Sequence, residues 1–521
     1  MLVSTHPAVQ PALRSAASLL VTAALLTACG GGGSDAGTAP FGNEGSNTGG
    51  SGLPASSTLA QQCAVDNALA PQASRTATLD RERRWVRSYM DEAYLWYREV
   101  PVVNTADANF NLTNVPLSLD NYFEALKTRA TTPSGKLKDE FSFTVPTAEY
   151  EALFSSGIVA GFGAEWILGS PRPPRNVRVA YVDAGTPAAA QAVTRGLRVI
   201  SIDGVSIDDN TSAGTATINE GLFSPVNGQR YTFVFADLSG VQRTVSMTAA
   251  QVTKTPVQNV STINTPSGRV GYMTFNDHID PAEGQLATAF AQFQSQGISD
   301  LVLDLRYNGG GFLYIASEIG YMVAGTTRTA GKTFERLQFS DKRTADANDP
   351  QSNTPFYNVA SGRANTGTTA NTPLPTLNLP RVYVLASPGT CSASEAVVNG
   401  LRGVGVDVIL VGGTTCGKPY GFTAKDNCGI SYFPIEFQGV NQLGFGDYAD
   451  GFAPSATCTV ADDFTKALGD SSEGMLAAAL SHRVTGSCGG TATGREGPQA
   501  AGSVAFGRVI RHPVRESKIR R

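Results

Sequence analysis

Histidine is scarce here, four among 521 residues, and only His278, His482 and His512 lie beyond the first thirty positions. A Ser-His pairing therefore has few candidates. Cysteine is also sparse, seven in all, with no Cys-x-x-Cys pair and no Cys/His cluster, which excludes the usual zinc sites. Charge of one sign is missing too: a formal net charge of -4 leaves no footprint for nucleic acid. Hydrophobic and charged fractions of 41% and 16% are ordinary for globular protein, while 56 Gly and 28 Pro point to many turns and linkers. The length exceeds what one core serves and predicts roughly three domains of about 100–200 residues.

What is present begins with an export leader. Arg14 supplies a sparse positive region, and Ala16 to Leu26 is an apolar run too short to cross a bilayer comfortably. Leu26-Thr-Ala-Cys29 ends it and resembles the bacterial lipobox, which implies lipidation of Cys29; a plain secretory signal followed by a chance cysteine is the alternative. Residues 30–62 open with a run of Gly, Ser, Asn, Thr, Ala and Pro and read as a flexible tether. The reading is a membrane-anchored protein facing the periplasm, with Gly30 after the cysteine favouring the outer membrane by resemblance to other lipoproteins. Residues 489–521 hold seven Lys/Arg against two Glu and read as a disordered basic tail.

Export puts the remaining six cysteines in an oxidising compartment, where 15 pairings are open. Cys416 and Cys428 flank an expected hairpin, Lys418 to Asn427, and are the favoured pair. Cys391 reads as a buried free thiol, with a catalytic role as the lesser alternative.

Aromatic residues at near-helical spacing from Arg81 to Val100, and an amphipathic stretch from Leu117 to Arg129, predict a small N-terminal helical domain over 63–155. Short strands and turns follow over 156–262: Gly161-Phe-Gly-Ala-Glu-Trp166, an alternating Val177 to Val182, a short helix after Gly185-Thr-Pro, and Arg195 to Ser206 ending in a tight turn. These resemble a PDZ domain of the circularly permuted bacterial kind. The resemblance implies that Gly161, Phe162 and Gly163 cradle a peptide's terminal carboxylate while the peptide adds a strand to the sheet edge. A β domain without ligand is the alternative.

Over 263–488 strands alternate with helices, predicting an α/β core. Arg269 to Phe275, Asp300 to Arg306, Arg381 to Ala386 and Asp407 to Val411 are the expected strands. The second ends in Tyr307-Asn-Gly-Gly-Gly311, whose glycines let backbone N–H groups approach a bound atom closely. The third runs into Ser387-Pro-Gly-Thr-Cys-Ser-Ala-Ser-Glu395, and the fourth leads to Gly417-Lys-Pro419, with Lys418 placed 26 residues after Ser392. A serine at a helix start and a lysine after the next strand is one way to activate a hydroxyl without histidine. The lysine must then lose its proton, which burial among apolar groups promotes.

The order helical region, PDZ-like module, Asp-Leu-Arg-x-Asn-Gly-Gly-Gly, Ser-Ala-Ser-Glu and Gly-Lys, spanning roughly residues 80–485, resembles the carboxyl-terminal processing (tail-specific) serine peptidases. The resemblance implies a multidomain α+β fold with a ClpP/crotonase-like core and no cofactor. It implies Ser392 as nucleophile and Lys418 as general base. The oxyanion donors would be the N–H of Ala393 and one from Gly309 or Gly310, with Ser394 a helix-start residue. Exported or misfolded polypeptides, engaged by their carboxyl-terminal segment, would be the substrates. Some family members carry a glutamine four residues after the lysine, where this chain has Phe422, and others an aspartate eleven residues after the serine, where it has Gly403, so the residue orienting Lys418 is not legible.

Rival signals are weaker. Gly412-Gly-Thr-Thr-Cys-Gly-Lys418 fits the start of a nucleotide-binding P-loop, but Pro419 stands where a Ser or Thr must ligate magnesium, so no nucleotide is expected. His278, in Asn276-Asp-His-Ile279, reads as surface or structural rather than catalytic. The acidic Gly-rich stretch Asn441 to Gly451 reads as a plain loop rather than a calcium site. A non-catalytic lipoprotein that binds peptide or apolar ligands is the main alternative to the enzyme.

Overall fold

Four consecutive buried strands set the architecture: Gly268–Phe275, Asp300–Asp304, Arg381–Ala386 and Asp407–Gly412 run parallel and adjacent, with Val257–Thr265 antiparallel at one edge. The computed structural model describes residues 52–489 and the short strands Ser503–Val504 and Arg508–Ile510. The leader, Cys29 and the tether to residue 51 lie outside the described residues. Strand side chains alternate between faces. Met273, Leu303, Val384 and Leu410 meet the helices Ala282–Gln296, Leu313–Ala324 and Ala393–Gly403, while Tyr272, Val302, Leu385 and Ile409 meet Gly474–Thr485 on the other face. Cover on both faces explains why these strands read as continuous apolar runs.

The α/β alternation appears as expected, but its sheet starts at Val257 rather than Ile263, because Val257–Thr265 is the hairpin partner of Gly268–Phe275. Ahead of it lies the β region. Ala164–Leu168, Arg178–Val182, Arg198–Ile202, Arg230–Ala236 and Gln242–Thr248 form a sheet closed by the Ser212–Phe223 helix, whose Ile218 joins the core of Trp166, Val199 and Phe233. Arg195 fastens this region to the core, donating to Asp462 at 2.5 Å and to the Tyr307 hydroxyl. Part of the expected disordered tail is ordered instead. Ser503–Val504 pairs with Asp462–Asp463, and Arg508–Ile510 adds to Ala164–Leu168, an edge strand whose unpaired backbone groups accept a partner.

The N-terminal helices are Leu79–Ala93 and Val115–Ala125, but they do not close a core of their own. Trp85, Tyr89 and Phe123 pack with Tyr432, Ile435 and the Cys391–Cys416 pair, and Phe143–Pro146 pairs antiparallel with Ile430–Phe433. Cys63 and Cys428 are bonded across 365 positions, and Cys458 joins Cys488. The expected Cys416–Cys428 bridge is thus wrong, as is the free Cys391. The local hairpin is Lys425–Asn427 with Ile430–Phe433, which turns Cys428 toward Cys63 and leaves Cys416 facing Cys391.

Two buried carboxyls bridge helices in the core. Glu318 on Leu313–Ala324 and Glu283 on Ala282–Gln296 are each 1% exposed and hydrogen-bonded to one another. Burial pushes Glu318 up to about 10, while Ser361 N–H and the Thr368 hydroxyl help hold Glu283 below its ordinary value. Glu318 therefore carries the shared proton. Its folded pKa lies above the unfolded one, so the stability tied to that proton is complete below about pH 4.5 and lost as pH rises through about 10. Glu318→Gln, which donates without titrating, is expected to flatten this decline. Thermal melts from pH 5 to 9.5 should show the variant gaining on wild type with pH, by on the order of 1.4 kcal/mol per pH unit while only wild type takes up the proton on folding.

Candidate active site

The carboxyl ends of three neighbouring parallel strands converge, the usual place for a site in a parallel sheet. Asp300–Asp304 leads to the glycine run, Arg381–Ala386 to Ser392, and Asp407–Gly412 to Lys418. Arg306, fully buried, braces the first exit by bonding Asp304, Asp462 at 2.8 Å and Glu473 at 2.7 and 2.9 Å. Burial alone would raise the Asp462 carboxyl, but Arg195 and Arg306 hold it below its ordinary value.

Ser392 sits at the tip of a strand-turn-helix bend with φ 55° and ψ -117°, a conformation a non-glycine residue adopts at a cost of about 1–3 kcal/mol. It stands immediately before the Ala393–Gly403 helix, so the N–H of Ala393, at the first helical position, has no intrahelical acceptor. Bonds from Cys391 N–H (3.1 Å) and the Ser394 hydroxyl (3.0 Å) to Asn308 O clamp the bend against the glycine run. A Cβ on Gly310 would lie 2.8 Å from Ser392 Cβ and 2.9 Å from Ala393 N, so only glycine permits this approach. The N–H of Gly310 donates to Asn308 Oδ1 at 2.9 Å, whereas that of Gly309 has no acceptor among the described residues.

His278 is fully buried, with Nδ1 3.0 Å from the same Asn308 Oδ1. Asn308 Nδ2 donates to Phe275 O, which fixes the amide, so Nδ1 is the protonated nitrogen. This is the structural use of His278.

Sequence reasoning quoted Glu395 within the serine motif but gave it no role. It is fully buried and accepts from Ser392 N–H (3.0 Å), Gly417 N–H (2.9 Å), Lys418 N–H (2.8 Å) and the Thr415 hydroxyl (2.5 Å). Burial raises its carboxyl above the ordinary value, and these donors pull it back only in part. One carboxyl thereby fixes the backbones of the serine bend and the lysine loop. The Cys391–Cys416 disulfide joins the same two loops, one residue before Ser392 and two before Lys418. Ser392-x-x-Glu395 is a capping-box pattern, the signal that could have revealed this residue.

The half-buried Lys418 extends between aromatic rings, its Nζ 4.3 Å from the centroid of Phe422 and 5.2 Å from that of Phe141. Phe422 and, from the N-terminal region, Phe141 thus flank the amine and limit where it can point. Gly417 has φ 88°, and a Cβ there would lie 2.2 Å from Ala449 O, which explains the glycine before the lysine. The stretch Asn441 to Gly451 is the wall that demands this. Its Asp450 accepts from the Thr132 and Ser134 hydroxyls. After Pro419 the chain forms the strand Tyr420–Gly421 rather than the helix of a P-loop. Among the described residues, the one cluster with metal-ligand geometry is Cys391, Glu395 and Cys416, whose sulfurs are already bonded to each other.

Ser392, Lys418, Ala393, Gly309 and Gly310 all line one cavity of about 310 Å³. Phe141, Phe143, Phe312, Phe422, Phe433 and Phe437 supply much of its wall. Gly161, Phe162 and Gly163 do not join it. They line a separate cavity of about 80 Å³ with Glu165 and Lys254, whose ammonium pairs with Glu165 at 2.9 Å and Asp277 at 3.3 Å.

A serine on a strained strand-to-helix bend, beside a glycine run at the carboxyl end of a parallel sheet, is the arrangement of serine-hydrolase folds. Residues 269–425 match the model of peptidase family S41, and residues 81–143 match that of the peptidase S41 N-terminal domain. The N-terminal helical region and the parallel-sheet region are thus similar to peptidase family S41. The chain is 26% identical over 361 residues to carboxyl-terminal-processing peptidase 3, chloroplastic, of Arabidopsis thaliana, covering 65% of this chain and 62% of that one. It is 25% identical over 281 residues to a chloroplastic C-terminal processing peptidase of Tetradesmus obliquus, covering 51% and 53%. The chain thus spans less than two thirds of these curated relatives. A solved Bacteroides fragilis structure described as an S41 protease shares the fold, with TM-score 0.55 and 23% identity over 77% of this chain and 96% of that one.

Proposed function

We propose that this protein is a serine endopeptidase that cleaves exported polypeptides near their carboxyl termini through a Ser392–Lys418 dyad. The observation that carries the reading is the single buried carboxyl of Glu395, which fixes both loops so that Ser392 and Lys418 border one apolar cavity. Neutral Lys418 takes the proton as Ser392 Oγ attacks the scissile carbonyl. The oxyanion accepts from Ala393 N–H and, of the two glycine candidates, Gly309, because the N–H of Gly310 is already engaged. Lys418 then passes its proton to the leaving amine, and water releases the acyl group by the same route. Desolvation by the apolar wall would disfavour the ammonium, while the two flanking rings limit sterically where the amine can point.

The β region serves as the PDZ-like module. Gly161, Phe162 and Gly163 would take a peptide's terminal carboxylate beside Lys254. Three disulfides fit an exported protein, and Cys29 is its lipid anchor on the periplasmic face of the outer membrane. Metabolic labelling with a radiolabelled fatty acid should mark wild type but not Cys29→Ser; equal labelling removes the anchor from the proposal. For the dyad, a fluorophosphonate probe should modify the peptide containing Ser392 and no other, and labelling of Ser392→Ala to the same extent would sink the assignment.

A further inference from the structure

The catalytic cavity contains a carboxyl that the proposed chemistry leaves unused. Glu335 lies on the strand Thr333–Phe339, is 6% exposed and lines the cavity shared by Ser392 and Lys418. Among the described residues no cation pairs with it and no hydrogen bond to its side chain is made. Burial alone pushes it up to about 8, with no charge pulling it back. The fold makes room for this group: a Cβ on Gly439 would sit 1.4 Å from Glu335 Oε1 and 2.3 Å from its Cδ. Gly439 belongs to the strand Phe437–Val440, whose N–H at that residue donates to Pro419 O, next to Lys418. A bare glycine thus leaves the carboxyl its place on the strand that borders the lysine loop.

An acid without an ion-pair or hydrogen-bond partner in a largely apolar pocket costs stability unless something uses it. An apolar ligand would leave it unsatisfied. A neutral donor would satisfy it weakly, whereas a cation forms the charge-assisted bond, about twice as strong. The walls suit the stem of such a side chain, since Phe437, Tyr448 and Phe422 offer apolar faces that also attract cations. A volume of about 310 Å³ holds one long side chain. Resting on the peptidase reading above, we propose that Glu335 closes the specificity pocket and selects a lysine or arginine side chain on the acyl side of the scissile bond.

The test compares otherwise identical fluorogenic peptides with lysine, arginine, norleucine, phenylalanine or tyrosine at that position. Norleucine keeps the lysine stem without its charge. Wild type should cleave the lysine and arginine peptides at least tenfold better, in kcat/KM, than the norleucine one. Glu335→Gln should bring the lysine-to-norleucine ratio to near one, and Gly439→Ala, which displaces the carboxyl, should do the same. Probe labelling of Ser392 in each variant verifies that the site is folded. Norleucine, phenylalanine or tyrosine preferred by wild type, or an unchanged ratio in a labelled Glu335→Gln, overturns the proposal. Should no peptide turn over, the peptidase reading fails by itself, and anisotropy of the lysine and norleucine peptides on Ser392→Ala decides the pocket. Tighter lysine binding abolished by Glu335→Gln upholds it, and equal binding rejects it.

Discussion

Ser392→Ala and Lys418→Met should each lower kcat on an unstructured polypeptide by at least about a thousandfold, and the double variant should be no slower than the worse of the two. Residues that act as one unit lose their joint contribution when either is removed, because a hydroxyl without its base attacks no better than water does. Methionine keeps the length and apolar stem of Lys418 and so spares the packing against Phe422 and Phe141. What remains is catalysis from the Ala393 and Gly309 amides and from binding. KM should change little, since neither side chain is required to hold substrate. Multiplicative losses in the double variant would mean that the two residues act independently and that Lys418 is not the base.

The second large effect concerns the Cys391–Cys416 bond. It ties the turn bearing Ser392 to the loop bearing Lys418, within two residues of each. Glu395 spans the same gap, but its hydrogen bonds need both backbones already in register. Ser392 also stores backbone strain that its surroundings must hold. Cys391→Ser with Cys416→Ser is therefore expected to lower kcat by about ten- to a hundredfold through looser positioning. Glu395→Gln in that background should cost more than in wild type. Labelling of Ser392 by the probe should slow in parallel, and circular dichroism should remain native. Full activity in the serine pair would show that Glu395 suffices.

The strands of the parallel sheet, and the serine, lysine and glycine motifs that the structure brings to one cavity, were legible because they are local. A parallel strand covered on both faces reads as an unbroken apolar run, and the serine, lysine and glycine signals each follow one directly. Contacts between distant segments were not legible. Phe141 flanks Lys418 from nearly three hundred positions upstream, and Cys63 claims Cys428 across 365. Nearness in sequence favoured Cys416 with Cys428, yet the path of Lys425–Asn427 separates them. The capping-box spacing of Ser392 and Glu395 could report the bond to Ser392 N–H, but the bonds from the Gly417 and Lys418 N–H groups, more than twenty residues away, are reported by no side-chain pattern. Glu335 lies in a short strand whose neighbours Arg336 and Gln338 are exposed, so nothing in its surroundings advertised a buried acid.

The interlocking of residues 63–146 with 391–435 also governs when the pocket can exist. Until the first segment has docked and Cys63 has met Cys428, Lys418 lacks one of its two rings and the cavity lacks the wall formed by Phe141 and Phe143. On the peptidase reading, a growing or still-reduced polypeptide accordingly lacks the finished pocket until the 365-position loop between Cys63 and Cys428 has closed.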